Sequence, residues 1–366
     1  MQQTPCKNTK LLLLTKRLDS EPKGGREMLC KLNYDALSAI LGKQLVLFEL
    51  PPASTMKPHE IFNAFRGNID GLTDETFEQV LQLIKREQVR QVFVDGSNLG
   101  GFVAKLKRTL PEVEIIIFFH NVEARFFWGA LKGSKTIRAL GIFIVNYLAE
   151  RKASRLSDKR ICLSERDSML LKSIYGKGAT HIAPMALVDK LDDHIPTNAI
   201  IEVEPFVLFV GGNFYANREG ILWFVKNVAR RIDIKVCIVG KGMEKIRTEL
   251  EISRKVEVIG PVENLGEWYS RARFVIAPIF DGSGMKTKIA EALMHGKKVV
   301  GTPEAFSGYE AALGAGWVCR TANDFVVAVN EACQKVRFPF DPHLRAIYVQ
   351  NYSFEAAKKR LEKILL

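Results

Sequence analysis

The sequence predicts an α/β protein with two facing Rossmann-like domains, each built on a parallel sheet, and a cleft between them. The first observation is length, because 366 residues exceed what one hydrophobic core usually organises. The second is the alternation of short apolar runs with amphipathic stretches, which is typical of successive strand, helix and strand units. The third is the unbroken apolar run at 115–119, which is typical of a strand covered on both faces.

Composition along the chain predicts two domains and a closing helix. We assign residues 1–190 to the first domain and 201–350 to the second, because the stretch from Ala186 to Pro205 is polar and carries prolines. Residues 353–366 start with a serine suited to cap a helix and continue with apolar residues at helical spacing. We expect this last helix to pack back on the first domain.

Ten short apolar runs are predicted to be strands, five in each domain. They are Lys10 to Thr15, Gln44 to Leu50, Gln91 to Asp95, Glu114 to His120, Arg160 to Ser164, Phe206 to Val210, Lys235 to Val239, Val256 to Ile259, Phe274 to Ile279 and Lys298 to Gly301.

Charge and cysteine usage narrow the class of protein. Lysine and arginine number 53 against 41 aspartates and glutamates, so the surface attracts anions such as nucleotides, phosphorylated lipids, anionic membranes or nucleic acid.

The leucines Leu11 to Leu14 form too short a run for a signal peptide or a membrane span, which predicts a cytoplasmic protein. Six scattered cysteines without paired spacing predict buried free thiols rather than disulfides or zinc ligands.

The segment from Asp281 to Glu291 is the richest in candidate functional residues. It has the pattern of a strand end, a glycine loop and a helix, in which backbone amides approach a phosphate and the helix N-terminus supplies positive charge. If the helix begins near Gly284, then Gly284, Lys288, Glu291 and His295 lie on one face. Such a polar stripe on a buried helix is costly unless it meets a polar ligand.

A nucleoside diphosphate would satisfy this stripe. Its phosphates would lie near Lys286 or Lys288, and its ribose hydroxyls would lie at Glu291. The alternative of equal weight is a surface ion pair between Lys288 and Glu291, worth a few tenths of a kcal/mol.

The stretch from Gly282 to Val300, GSGMKTKIAEALMHGKKVV, resembles the donor-binding signature of family four glycosyltransferases, which are retaining enzymes of the GT-B fold. Three further motifs stand in the family's order, at Phe209 to Asn213, Val239 to Gly242 and Gly260 to Leu265. The resemblance therefore covers the second half of the chain.

The first half carries shorter matches, at Lys23 to Glu27, His120 to Glu123 and Leu163 to Asp167. Together the matches are similar to enzymes that build bacterial capsule, O-antigen lipopolysaccharide and other cell-surface polysaccharides.

This resemblance implies that residues 1–190 form the acceptor domain and residues 201–350 the nucleotide-sugar donor domain. It also implies roles for particular residues. Glu291 would hold the donor ribose, the backbone at Val262 would contact the base, and His120 would contact the transferred sugar. The alternative for His120 is a histidine that only caps a strand, and the paired glycines are equally suited to ordinary turns. The implied catalytic residues are His120, Asp281 and Lys286. The implied donor-binding residues are Gly24, Gly25, Gly211, Gly212, Asn213, Gly240, Lys241, Val262, Ser283, Gly284, Met285, Lys286, Lys288 and Glu291.

The sequence departs from the family pattern at two places. The first of the family's two glutamates would fall at Ser283, and Asp281 is the candidate replacement. The family's phosphate-binding arginine is also missing, because Gly212 and Asn213 occupy its place. We expect Lys286 or Lys288 to supply that charge.

The activity implied is transfer of a sugar from a nucleoside diphosphate sugar to a saccharide or lipid-diphosphate-linked saccharide, with retention at the anomeric carbon. No metal or cofactor is expected, because the one pair of adjacent aspartates, Asp192 and Asp193, lies in the predicted linker. The alternatives are a nucleotide-sugar epimerase, whose paired carboxylates are not found, and a catalytically silent nucleotide-sugar-binding protein. A nucleic-acid-binding protein is disfavoured because no recognised module is present.

Residues 124–160 combine basic and aromatic side chains. This composition fits an amphipathic stretch at an anionic membrane surface, and predicts a protein peripheral to the inner face of the cell membrane. The alternative is that the apolar face is core and the basic residues form its solvated rim.

Overall fold

The structure is a computed structural model that describes residues 9–20, 25–52, 64–65, 69–191, 204–282, 284–338 and 340–365. The chain divides into two compact units. Unit 1 comprises Met1–Met185 and Ala357–Leu366, and unit 2 comprises Ala186–Ala356.

The described sheet of unit 1 has six strands: β1 (Lys10–Lys16), β2 (Leu45–Leu50), β3 (Val89–Asp95), β4 (Glu114–Phe119), β5 (Lys159–Cys162) and β6 (His181–Ile182). Their order is β2-β1-β3-β4-β5-β6, and all pairs are parallel. Residues 11–14 and 115–119 are buried throughout, because both faces of the sheet are covered.

The helices of this part of unit 1 are α1 (Gly25–Leu41), α2 (Asp74–Glu87), α3 (Gly100–Thr109), α4 (Glu123–Ser134), α5 (Ile137–Leu156) and α6 (Glu165–Tyr175). Threonine and serine caps set three of their starts. Thr73 accepts a hydrogen bond from the N–H of Thr76 at α2, Thr136 from Ala139 at α5, and Ser164 from Asp167 at α6. A Cβ on Gly100 would lie 1.8 Å from the carbonyl oxygen of Ala149, so α3 and α5 approach closely only because glycine is there.

Unit 2 repeats the architecture. Its described strands are β7 (Phe206–Val210), β8 (Lys235–Val239), β9 (Val256–Gly260), β10 (Phe274–Ala277), β11 (Val299–Gly301) and β12 (Gly316–Val318). Their order is β12-β11-β10-β7-β8-β9, again with parallel pairs. The helices are α7 (Tyr215–Asn227), α8 (Arg247–Leu250), α9 (Leu265–Arg271), α10 (Thr287–Met294), α11 (Ala322–Lys335) and α12 (Pro342–Asn351).

The closing helix, α13 (Phe354–Leu365), is capped by Ser353, whose Oγ accepts the N–H of Ala356 at 3.2 Å. From Ala357 onward it belongs to unit 1. There, Lys159 Nζ on β5 donates to the carbonyl oxygen of Ile364 at 2.9 Å.

The predicted class, α/β with two Rossmann-like units on parallel sheets, is confirmed. The predicted strands form with small shifts at their ends. For example, β10 ends at Ala277 because the chain then turns, with the N–H of Ile279 bonded to the carbonyl of Ala277. The two strands that the pattern missed, β6 and β12, have two and three residues, too few for a recognisable run.

The five described cysteines are free thiols, as expected. Cys30, Cys162, Cys237 and Cys319 are buried, and Cys333 is partly buried. Among the described residues, no helix is both long and apolar enough to cross a membrane.

Candidate functional site

The strand order of unit 2 reverses between β7 and β10. From β7 the chain proceeds to β8 and β9 on one side, and from β10 it proceeds to β11 and β12 on the other. Ligands of open α/β sheets bind in the crevice that such a reversal leaves at the carboxyl ends of the central strands. The predicted donor-binding segments 211–213 and 281–291 follow β7 and β10. The topology therefore brings both segments to one edge.

Glycines let the loops after β7 and β8 touch. A Cβ on Gly240 would lie 2.1 Å from the carbonyl oxygen of Gly211 and 3.0 Å from the nitrogen of Gly212, and Gly240 has a φ of 153°. The N–H of Asn213 donates to the carbonyl oxygen of Lys241 at 2.9 Å. This backbone packing requires glycine at 240 whether or not a ligand contacts the loop.

The helix after β10 starts later than predicted. It begins at Thr287 because Gly284 adopts a left-handed conformation, with a φ of 65°, that an α-helix does not accommodate. The expected helical face of four residues is therefore wrong. Only Lys288 and Glu291 lie within the helix, and His295 follows its last residue.

Side chains close the glycine loop before this helix. Asp281 is exposed, and its Oδ1 accepts the N–H of Gly282 at 2.7 Å. Lys286 Nζ donates to the carbonyl oxygen of Gly284 at 2.7 Å and pairs with Glu304 at 3.1 Å. Because Glu304 balances the charge of Lys286, this lysine is primarily a loop-closing residue.

Two further residues of the same loop, Ser283 and Met285, were predicted to bind the donor. Met285 is buried, and Ser283 lies outside the described residues.

Lys288 connects the helix after β10 to residues of β7 and α7. It is 7% exposed, and its Nζ donates to Asn217 Oδ1 on α7 at 2.6 Å. The same Nζ lies 5.1 Å from the ring centroid of Phe209 on β7. Burial lowers the pKa of Lys288 to about 7, opposed by the nearby Glu291 carboxyl. Since the described partners of Nζ carry no full negative charge, an anion at this edge would stabilise its charged form.

Glu291 is held by a residue that the sequence did not single out. Tyr269 on α9 donates its hydroxyl to Glu291 Oε2 at 2.8 Å. The Tyr269 ring is 1% exposed and stacks on His295, with centroids 4.9 Å apart and planes 3° apart. Burial raises the pKa of Glu291, whereas the bond from Tyr269 acts in the opposite direction. Among the described residues, only Tyr269 donates a hydrogen bond to this carboxylate, which leaves hydrogen-bonding capacity for a ligand.

The predicted base contact, Val262, is half-buried and follows β9 directly. The helix that carries Tyr269 starts three residues later, at Leu265. The segment expected at the base and the group that orients Glu291 are thus close in sequence.

In unit 1, His120 is buried at the carboxyl end of β4. Its Nε2 lies 2.6 Å from Asp95 Oδ1, and Asp95 also accepts from Thr15 Oγ1 and Asn33 Nδ2, each at 2.9 Å. Burial alone would raise the pKa of Asp95, but His120 and these donors hold it below its usual range. The other ring nitrogen of His120, Nδ1, is buried and has no hydrogen-bond partner among the residues that the structure describes.

Gly25 opens α1, and Gly24 lies outside the described residues.

Among the residues that the structure describes, Cys30, Asp95 and His120 place possible metal-ligand atoms within 4.8 Å of one another. A metal would need the Cys30 thiolate. Burial and the neighbouring Asp95 raise the pKa of this thiol far above its usual range in the metal-free protein. There, Asp95 is bonded to His120, Thr15 and Asn33, so the cluster forms part of a hydrogen-bonded network.

Residues 204–335 match the family model described as glycosyl transferases group 1. No curated protein matches the chain in sequence.

Solved structures of similar fold cover nearly the whole chain. Sucrose-phosphate synthase from Thermosynechococcus elongatus has a TM-score of 0.70 at 16% identity, over 97% of this chain and 98% of that one. HepE of Anabaena in complex with UDP has a TM-score of 0.66 at 12% identity, over 98% and 99%. The lipopolysaccharide outer core galactosyltransferase WaaB has a TM-score of 0.62 at 12% identity, over 98% and 99%. The predicted GT-B fold is thereby confirmed.

Proposed function

The chain is a glycosyltransferase of the GT-B fold with a group 1 domain at residues 204–335, and from this premise we propose that it uses a nucleoside diphosphate sugar as donor. The acceptor in this proposal is a saccharide or a lipid-linked saccharide. We propose a UDP-sugar as the first donor to test, because UDP is the nucleotide bound by the similar HepE of Anabaena.

The observation that carries the proposal is the pairing of Lys288 with Asn217 beside Glu291 and Tyr269. Lys288 and Glu291 are three residues apart on α10, so one helix presents a cation and a hydrogen-bond acceptor. The diphosphate would lie near Lys288 and the backbone amides of the loop after β7. The ribose hydroxyls would donate to the unused lone pairs of Glu291.

The proposed reaction breaks the bond between the anomeric carbon and the diphosphate oxygen. The acceptor hydroxyl forms the new bond on the same face of the sugar and gives its proton to the departing diphosphate, so the anomeric configuration is retained. The departing diphosphate gains negative charge, which Lys288 and the loop amides would stabilise. Because Lys286 is already paired with Glu304, we assign it the support of the loop rather than direct charge stabilisation.

No metal ion enters this proposal. Asp281 accepts from the N–H of Gly282, and Glu291 is bonded to Tyr269. The lysine and the backbone amides supply the positive charge that a cation would otherwise provide. We retain His120 as a candidate contact of the transferred sugar and Asp281 as a candidate catalytic carboxylate.

We further propose a role in cell-surface polysaccharide synthesis, in the cytoplasm and at the inner face of the membrane. The similar fold of the lipopolysaccharide galactosyltransferase WaaB supports this role. A surface on α4 and α5 supports membrane contact.

The apolar part of this surface, which we call the α5 stripe, has helical spacing. Ile137 is 90% exposed, and Leu140, Ile144 and Leu148 continue the same side of α5 with exposures of 43%, 36% and 38%. Trp128 on α4 is 47% exposed. The opposite side of α5, which includes the buried 145, 149 and 153 positions, faces the core. The stripe is therefore separate from the apolar face that forms the core.

Basic residues border the α5 stripe. Lys132 Nζ lies 5.5 Å from the Trp128 ring centroid, and Lys135 and Arg138 are exposed nearby in sequence. An exposed apolar stripe beside basic side chains suits the interface of an anionic bilayer. We therefore propose that this surface docks the enzyme where a lipid-linked acceptor would be found.

Incubation of the full chain with labelled UDP-sugars tests the proposed activity. Release of UDP together with free or transferred sugar is the result expected of a glycosyltransferase. Interconversion of the sugar without release would instead indicate an epimerase. Binding without turnover, for every sugar tried, would indicate a silent nucleotide-sugar-binding protein.

A further inference from the structure

Lys297 is a buried lysine of unit 2 that the function proposed above does not use. It lies between α10 and β11, and its side chain is 1% exposed. Its Nζ donates to the carbonyl oxygen of Ser270 at 2.9 Å and to that of Ala272 at 2.8 Å. Ser270 is in the last turn of α9 and Ala272 follows that helix, where carbonyl groups lack partners within the helix. Lys297 therefore closes the C-terminus of α9.

A buried ammonium group is a costly means of satisfying two carbonyl groups. Among the residues that the structure describes, no carboxylate pairs with Lys297, and burial lowers its pKa to about 7. The negative end of the α9 dipole offsets only part of the cost of burying the charge. A methionine of similar length would fill the same space without desolvating a charge. The buried cation is explained if the placement of α9 has a function.

Tyr269 of α9 also contacts the chain just before Lys297. Its hydroxyl donates to Glu291, and its ring stacks on His295, two residues before Lys297. The bonds from Lys297 begin at Ser270, the residue directly after Tyr269. Tyr269 is therefore held by its side chain and by the backbone that follows it.

The short α9 depends on such contacts for its position. It has seven residues, and its N-cap residue, Asn264, makes no capping hydrogen bond with its side chain. A helix of this length gains little from its own hydrogen bonds, so contacts with the rest of unit 2 decide where Tyr269 lies. Because hydrogen bonds weaken steeply as their geometry worsens, a small shift of α9 would break the bond from Tyr269 to Glu291.

We propose that Lys297 is a positioning residue of the donor site, which holds α9 where Tyr269 can bond Glu291. This inference rests on the function proposed above and deepens it. Lys297 acts on the backbone of α9, Tyr269 acts on Glu291, and Glu291 acts on the ribose. Lys297 itself contacts no part of the nucleotide.

Calorimetric titration of UDP into Lys297→Met tests this role. At about pH 6, both Lys288 and Lys297 carry their charge in the wild type. We expect the variant to bind UDP about fivefold more weakly, because methionine fills the site without donating to the two carbonyl groups. A 2′,3′-dideoxy analogue of UDP lacks the hydroxyls that Glu291 would hold, so its affinity should change less than about twofold.

A double variant shows whether Lys297 acts through Tyr269. Adding Lys297→Met to Tyr269→Phe should weaken UDP binding by less than about a further twofold, because the bond that Lys297 positions is already lost. Losses that multiply would overturn the proposal, since Lys297 would then act independently of Tyr269. Lys297→Gln keeps an N–H donor without the charge and should lose about threefold. It takes the place of Lys297→Met in the same comparison if the methionine variant does not fold.

Arg273→Met is the matched control. Arg273 donates to the carbonyl oxygens of Cys333 and Val336 at the C-terminus of α11, a helix that carries no residue of the proposed site. Its loss removes a cation from a helix C-terminus of the same unit. Urea unfolding should show a loss of stability, and UDP affinity should equal that of the wild type.

UDP binding by the wild type separates failure of this inference from failure of the proposed function. If the wild type and Lys297→Met bind UDP equally well, the role of Lys297 is overturned and the donor site stands. The same conclusion follows if Arg273→Met loses as much affinity as Lys297→Met, because lower stability then explains both losses. If the wild type binds no UDP, the proposed function fails, and the role of Lys297 fails with it.

Discussion

The hydroxyl of Tyr269 donates to Glu291 Oε2 across 2.8 Å, and the same tyrosine ring stacks on His295. This bond fixes one oxygen of the carboxylate proposed to hold the donor ribose. Tyr269 is therefore a positioning residue, since it acts on the nucleotide through Glu291.

The first prediction concerns Tyr269→Phe, which removes the hydroxyl and keeps the stacked ring. We expect UDP binding to weaken about tenfold, or about 1.4 kcal/mol, measured by calorimetry. A 2′,3′-dideoxy analogue of UDP lacks the hydroxyls that Glu291 would bind, so the same substitution should change its affinity less than twofold.

Tyr348→Phe is the matched control, because the Tyr348 hydroxyl donates to the carbonyl oxygen of Leu187 at 2.9 Å instead. It should leave UDP affinity unchanged. Equal losses for UDP and the dideoxy analogue would show that Tyr269 does not act through the ribose.

The second prediction concerns the proton on Lys288. Its pKa of about 7 in the free protein lies far below the ordinary 10.5, and a bound diphosphate should raise it. Binding should therefore take up a proton above neutral pH, and UDP affinity should fall by up to tenfold per pH unit from about pH 7 to about pH 9. Lys288→Met should remove this dependence, as measured by calorimetry in buffers of different ionisation enthalpy.

A surface lysine of unit 2 provides the control for that variant. Lys255 pairs with Asp233 at 2.8 Å, and Lys255→Met should bind UDP with the wild-type pH dependence. A wild-type affinity that stays flat above neutral pH would contradict the assignment of Lys288 to the diphosphate.

The third prediction is a gain of stability in Glu123→Gln. The pKa of Glu123 is raised from 4.5 to about 7, so the folded state holds a proton that the unfolded state has lost between these values. Wild-type stability should therefore fall as pH rises through this window, by up to roughly 3 kcal/mol. The glutamine variant lacks this loss and should be more stable at about pH 8, with little difference near pH 4.

Burial of the Glu123 carboxyl is the largest cause of this raised pKa, and the charged groups around it adjust the value. Glu150 on α5 and Asp70 raise its pKa, whereas Arg26 on α1 and Lys16 on β1 lower it. Urea unfolding at several pH values measures the difference. A stability gain that does not grow with pH would mean that Glu123 is not protonated in the folded protein.

The fourth prediction concerns the α5 stripe. Charge reversal of Lys132, Lys135 and Arg138 to glutamate should abolish co-flotation with vesicles of anionic phosphatidylglycerol, and Ile137→Ser should weaken it several-fold.

Reversal of three exposed basic residues of unit 2, Lys245, Arg254 and Lys255, changes the net charge equally and is the control. It should leave flotation intact. If both triple variants float as the wild type does, the α5 stripe does not dock on the membrane.

Much of the fold was predictable because buried strands leave a strong local signal. Runs such as 11–14 and 115–119 are apolar throughout, and they form central strands of a parallel sheet. The short edge strands β6 and β12 gave no such signal, since pairing with a neighbour rather than local sequence defines them.

The candidate donor site was only partly predictable. The glycine loop, Lys288 and Glu291 stand close together in sequence, so their spacing pointed to one edge. Their hydrogen-bond partners lie far away in sequence, because Asn217 is 71 residues from Lys288 and Tyr269 is 22 residues from Glu291. The start of α10 was also missed, since the left-handed backbone of Gly284 depends on loop closure rather than on helix propensity.

The cluster around Glu123 shows the same limit in unit 1. His120 and Glu123 were visible as neighbours after a strand, whereas Arg26, Asp70 and Asn98 come together only through the topology of the sheet. Sequence spacing does not report which of two acids, Glu123 or Glu150, receives the hydrogen bonds of a helix N-terminus.

The central claim, that the carboxyl edge of unit 2 binds the donor nucleotide through Glu291, is tested most directly by calorimetric titration of UDP into Glu291→Gln. We expect the wild type to bind UDP and the variant to bind it at least tenfold more weakly, because the amide is a poorer acceptor for the ribose hydroxyls. Glu257→Gln, on the surface of β9 where Glu257 pairs with Lys235, should bind as the wild type does. Equal UDP affinity in wild type and Glu291→Gln would contradict the donor site.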